Sequence, residues 1–226
     1  PSYGRLKSIT KPVAGNHDGT AEVFSAIFGL PPFYSFDAGS LHVTVLDSND
    51  RAWADMRTQT AWLKDDLTSP LPQTIVAFHH PPFSSDRKHP GGDLAIRAEW
   101  CGIFAQNDVD AVFSGHTHTY ERYRVNGTEY VVAGCGGGPF YPLSEEKPEG
   151  YQAGREETLG YIRATISPVS IGIEVVPVAD ITENGGVTMH PAGAVIDTVR
   201  LNTAGGWWSV LASAPGVWEL PGLWRR

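Results

Sequence analysis

The chain has 226 residues, of which 41% are hydrophobic, 11% aromatic and 19% charged. That length can bury a real core, with one domain as the expectation, and the low charge disfavours disorder. A formal net charge of −8 disfavours nonspecific binding to nucleic acid or an anionic membrane, and no apolar run approaches the ~18 residues of a membrane span.

In chain order, Ile9 to Ala14 reads as a short strand feeding a Gly-Asn-His turn. Thr20 is placed to cap a helix that runs to Phe28, with Gly29 as its stop. Phe33 to Phe36 and Leu41 to Leu46 read as paired strands around Ala38-Gly39. Met56, Leu63 and Leu67 recur at helical spacing. Thr74 to Phe78 is apolar or β-branched throughout, as in a strand covered on both faces. Ile96, Trp100, Ile103 and Phe104 mark a helix over 94–105. Strands are expected at Val109 to Phe113 and Thr128 to Ala133, then an antiparallel pair at Tyr161 to Ile166 and Ile171 to Val176, and a last one at Ala194 to Leu201. Between them, 134–159 is Gly-, Pro- and Glu-rich and reads either as a mobile loop at a pocket mouth or as plain disorder. Four of the seven Trp residues follow Ala204, which divides the chain into a domain over 1–204 and a Trp-rich tail over 205–226. Cys101 and Cys135 lie in no metal-binding spacing and read as buried free thiols, with a disulfide as the alternative.

The most informative stretch is Ser114-Gly115-His116-Thr117-His118-Thr119-Tyr120-Glu121-Arg122, just past an apolar strand. Two His one residue apart point the same way on an extended backbone and can serve one metal ion or two adjacent ones. Upstream lie Gly15-Asn16-His17-Asp18 and the apolar run Val76-Ala77-Phe78 ending in His79. These three fragments, in this order, resemble the calcineurin-like metallophosphoesterases, and the Tyr-Glu-Arg that follows resembles the purple acid phosphatase branch. The family carries five ordered blocks. This sequence has the last three and lacks the first two, since only 14 residues precede Gly15. The expectation is an N-terminally incomplete chain, with the missing carboxylates supplied by the absent blocks.

The resemblance implies an α/β fold: a calcineurin-like sandwich of two β-sheets flanked by helices, with ligands at strand ends. It implies a dinuclear centre of divalent or trivalent ions (Fe, Zn or Mn), of which this chain alone holds at most one well. By motif position, Asn16, His79 and His116 bind one metal and His118 the other. His17 resembles the histidine that contacts phosphate and protonates the leaving group. His89, ten residues after His79, resembles a substrate-facing histidine. The implied activity is hydrolysis of a small-molecule phosphomonoester by in-line attack of a metal-bound hydroxide. A phosphodiesterase or nucleotide pyrophosphatase of the same superfamily is an alternative. So is a non-catalytic remnant that binds one metal or phosphate. Related proteins are commonly exported, which implies an extracellular or periplasmic location.

Other residues are read as structural. His42 lies within a strand and His190 in a weak late segment. His80 is expected to point away from His79. Asp47 and Asp50 cap turns. The glycines of 134–138 are not a phosphate loop, because no Lys-Ser/Thr end or helix follows.

Overall fold

A computed structural model describes residues 10–49, 56–182 and 184–202. The Trp-rich tail, Asp50 and the boundary at 204 lie outside the described residues. Seven strands make one mixed sheet in the order β1-β2-β3-β4-β6-β5-β7. They are β1 (Tyr34–Ala38), β2 (Leu41–Val45), β3 (Gln73–Ala77), β4 (Ala111–Ser114), β5 (Tyr120–Val125), β6 (Thr128–Ala133) and β7 (Tyr151–Arg155). The central pairs β2·β3, β3·β4 and β4·β6 are parallel. A second sheet centres on β9 (Ser170–Ile181), with β8 (Thr158–Ser167) along one edge and β10 (Val187–Met189) and β11 (Asp197–Asn202) sharing the other.

Side-chain alternation along the central strands builds two cores at once. Val76 and Phe78, Val112, Tyr130 and Val132 face the helices, where Leu63, Ile96, Trp100 and Phe104 complete one cluster. Ile75, Ala111 and Val131, one residue out of phase, meet Ile171, Ile173, Val175 and Leu201 of the second sheet. The arrangement is a sandwich with helices on one outer face. A one-residue slip of any central strand would exchange the two cores. Between the sheets, Arg122 of β5 bonds Asp197 of β11 through Nε at 2.7 Å, and Glu129 of β6 through a terminal nitrogen at 2.7 Å.

The helices follow the sequence signals with one departure. In α1 (Ala21–Phe28), Thr20 caps Val23 N, and Gly29 closes the helix in the left-handed conformation. α2 (Met56–Asp66) buries Leu63. The segment read as one helix over 94–105 is α3 (Leu94–Ile96) and α4 (Gly102–Gln106), joined by a π-helical turn over Arg97–Cys101. Trp100 lies in that turn, fully buried, and its indole N–H donates to Thr60 Oγ1 at 3.1 Å.

Two expectations about strands and loops fail. Residues 10–14 form no strand. Pro12 has no N–H for a ladder and its carbonyl instead accepts from Tyr34 OH at 2.7 Å. The segment 134–159 is not one long loop: it contains β7, and its earlier part is tied down where Ser144 N donates to Ser85 O at 2.6 Å and Arg87 N donates to Pro142 O at 3.0 Å. Strand β5 went unread because Glu121, Arg122 and Arg124 break the apolar pattern, yet Glu121 is fully buried. Cys101 and Cys135 are both free and buried, as expected.

Candidate metal centre

Three chain segments bring their donors to the carboxyl ends of the parallel strands. His79 follows β3, and His116 and His118 follow β4. Open α/β sheets leave this edge accessible because helices cover their faces. Asn16 and His17 arrive on the turn where Asp18 N bonds Gly15 O at 3.0 Å and Gly15 N bonds Asp18 Oδ2 at 2.7 Å. Asp18 thus holds the turn that presents its neighbours. A Cβ on Gly15 would sit 3.1 Å from the His79 ring, so glycine permits this approach.

His79 Nε2 lies 2.7 Å from Asn16 Oδ1 and 3.2 Å from His116 Nδ1. Adjacent ligands on an ion with metal–ligand bonds of about 2.1 Å stand about 3.0 to 3.4 Å apart. The two nitrogens fall within that range and the amide oxygen lies a few tenths of an ångström inside it, so a small outward turn of the Asn16 amide lets all three reach one metal ion, and this N/N/O set suits Zn, Fe or Mn. Burial, reinforced by neighbouring imidazoles, lowers the pKa of His79 to about 3 and that of His116 to about 4. Both rings are neutral near pH 7, the form that ligates. His116 reaches its place with φ of +64°, an uncommon conformation for a residue with a side chain.

His118 approaches separately. Its Nδ1 lies 2.5 Å from Pro139 O and donates to it, which leaves Nε2 as the nitrogen available to a ligand. Its ring stacks on Tyr141 at 4.5 Å and 13°. A Cβ on Gly138 would lie 2.5 to 2.8 Å from the His118 ring, so glycine at 138 leaves room for this imidazole.

One cavity of about 470 Å³ is lined by all six expected residues, Asn16, His17, His79, His89, His116 and His118. Lys88 and Tyr141 line it too, and the sequence offered no signal for either. Lys88 Nζ donates to Tyr141 OH at 2.9 Å. His80 departs from expectation. The backbone bends after β3, so His80 does not alternate away, and its ring centroid lies 4.3 Å from that of His116. Ligand atoms of His79, His80 and His116 lie within 4.8 Å of one another. Ser48 Oγ accepts the backbone N–H groups of both His79 and His80, at 3.1 and 2.9 Å, and fixes that bend. His42 is structural, between Asp37 and Asp66 at 2.7 and 3.1 Å, and His190 pairs with Asp180 at 3.1 Å.

This geometry agrees with a comparison against known proteins, in which the calcineurin-like phosphoesterase family model matches residues 4–120. The chain belongs to the calcineurin-like phosphoesterase family. Within that family it falls in the purple acid phosphatase-like branch. It is 29% identical to purple acid phosphatase 21 of Arabidopsis thaliana over 154 residues, covering 58% of this chain and 35% of that protein. Over 126 residues it is 32% identical to a phosphoenolpyruvate phosphatase of Allium cepa, covering 54% of this chain and 25% of that one. The fold matches a purple acid phosphatase from yellow lupin seeds (Lupinus luteus) with a TM-score of 0.68, at 18% identity, over 84% of this chain and 40% of that chain. This calcineurin-like chain spans about a third or less of the length of the curated relatives it matches. No helix among the described residues is long and apolar enough to cross a membrane.

Proposed function

We propose that this protein is a metal-dependent phosphoric ester hydrolase acting on small phosphomonoesters. The observation that carries the reading is that His79 Nε2 lies 2.7 Å from Asn16 Oδ1 and 3.2 Å from His116 Nδ1, in a cavity that all three residues and His118 line. Asn16, His79 and His116 would hold one ion and His118 would engage a second. Bound metal ions supply Lewis acidity and activate water for attack on phosphorus. The chain's own groups do the rest. Lys88 places an ammonium at the cavity, where an acidic chain needs local positive charge to attract a phosphate ester. His17 and His89 are the proton-exchanging groups, because an imidazole nitrogen can both give and take a proton. An extracellular or periplasmic location belongs to the same reading.

A second reading is a module that binds one metal or phosphate without turnover. Among the described residues that line the cavity there is no Asp or Glu to bridge two ions, and this favours it.

Metal content and turnover together test the proposal. After mild loading with zinc, manganese or iron, the protein is expected to retain metal and to hydrolyse p-nitrophenyl phosphate faster than bis-p-nitrophenyl phosphate. His116→Ala should abolish both retention and turnover. One retained ion without turnover supports the binding module. Faster diester cleavage points to a phosphodiesterase, and full turnover by His116→Ala removes the assigned centre.

A further inference from the structure

Asp86 belongs to none of the recognised motifs, yet it is completely buried beside the cavity. Its Oδ1 accepts the backbone N–H groups of Lys88 and His89, at 2.5 and 3.2 Å. Its Oδ2 lies 2.8 Å from His89 Nδ1. Beneath it, Glu121 Oε1 accepts from Ser84 Oγ at 2.9 Å, and Ser84 Oγ in turn accepts from Asp86 N at 3.1 Å. On its other side, Asp86 pairs with Leu143 in an isolated β-bridge. The carboxylate is therefore held by the backbone of Lys88 and His89 and by the His89 ring, while the Asp86 backbone is fixed by Ser84 and Leu143.

We propose that Asp86 is a positioning residue that fixes the proton of neutral His89 on Nδ1 and leaves Nε2 as the nitrogen that exchanges protons in the cavity. A carboxylate oxygen only accepts, so the nitrogen facing it must donate. The bond made by one ring nitrogen decides the state of the other. Among the described residues Nε2 of His89 has no hydrogen-bond partner, while the ring lines the cavity 4.6 Å from that of His116. The inference rests on the reading that His89 faces the phosphate ester.

The geometry makes one substitution diagnostic. Asp86→Asn keeps the shape of the side chain. The two backbone N–H groups still require an oxygen, so the new amide must present its NH₂ to His89 Nδ1. That nitrogen then has to accept, and the ring proton moves to Nε2. Two-dimensional ¹H–¹⁵N spectra of the ¹⁵N-labelled full chain at pH 8 report the tautomer. The expected result is Nδ1–H in the parent and Nε2–H in Asp86→Asn. A role confined to holding the loop would not exchange the two nitrogens. An Nε2–H tautomer in the parent overturns the proposal without any variant, and an unchanged tautomer in a folded Asp86→Asn also overturns it. Inorganic phosphate added to the zinc-loaded parent addresses the wider reading separately. A shift of the His89 signals supports its facing phosphate. An Nδ1–H ring whose signals do not move overturns that reading and leaves the tautomer assignment standing.

Discussion

Ser85 donates twice to Glu121 Oε2, from its backbone N at 2.7 Å and from its hydroxyl at 2.5 Å. Ser84 Oγ, Thr119 Oγ1 and Tyr123 OH also donate to this carboxylate, at 2.9, 3.0 and 2.6 Å. Glu121 thus joins the strand that follows His118 to the segment that carries Lys88 and His89, and it sits under the cavity wall with no exposure at all. Burial, with the Glu121 charge second, drives the pKa of Tyr123 well above its usual value, so Tyr123 keeps its proton to donate.

Glu121→Ala would strand these donors in the interior. An unsatisfied buried polar group costs about 1 to 3 kcal/mol, so a loss of about 3 kcal/mol or more in unfolding free energy is expected. Urea denaturation measures it. A loss below about 0.5 kcal/mol would show that the network is not needed for stability.

Gly138→Ala tests the room that glycine leaves for His118. The added methyl would meet the imidazole at 2.5 to 2.8 Å, and Tyr141 stacked on the ring resists retreat. The ring should be displaced while the protein stays folded, because Gly138 lies outside both buried clusters. Circular dichroism should match the parent. Metal retained at the His118 position and phosphate hydrolysis should both fall at least tenfold. Unchanged metal content would mean that His118 tolerates a different placement.

Acid should destabilise the metal-free protein. His79 and His116 have folded-state pKa values lowered from 6.5 to about 3 and about 4, first by burial and then by neighbouring imidazoles. Their contribution to stability is complete above 6.5. It is lost as pH falls towards 4 and then 3, because the unfolded chain takes up protons that the folded chain refuses. His42 acts in the opposite sense. Burial alone would lower its pKa, but the carboxylates of Asp37 and Asp66 outweigh that and raise it. Urea midpoints should fall between pH 7 and pH 4, and His79→Gln, which cannot titrate, should show a smaller fall. An equal fall in both proteins would move the acid sensitivity elsewhere.

Local signals in the chain are strong wherever one segment satisfies itself. Thr20 and Gly29 define α1 from both ends, because capping involves only neighbours. The alternation in β2 and the apolar run of β3 identify strands, because a side chain's face depends only on its parity. The order Asn16, His79, His116, His118 was legible through its resemblance to a family motif, and the structure brings these four residues to one cavity. Strand β5 was not legible, because the burial of Glu121 is sustained by Ser84 and Ser85, more than thirty residues away.

By itself, the sequence determined the donor types, their order and the strands that end in them. Only the tertiary structure decided what surrounds those donors. Lys88, Tyr141 and Asp86 join the site through contacts such as Ser144 N to Ser85 O, which pair segments far apart in the chain. His80 was misread for a related reason: Ser48, from another segment, bends the backbone after β3 and cancels the alternation that parity alone predicts. Periodicity and spacing describe what a segment offers, whereas hydrogen bonds between distant segments decide which offers meet.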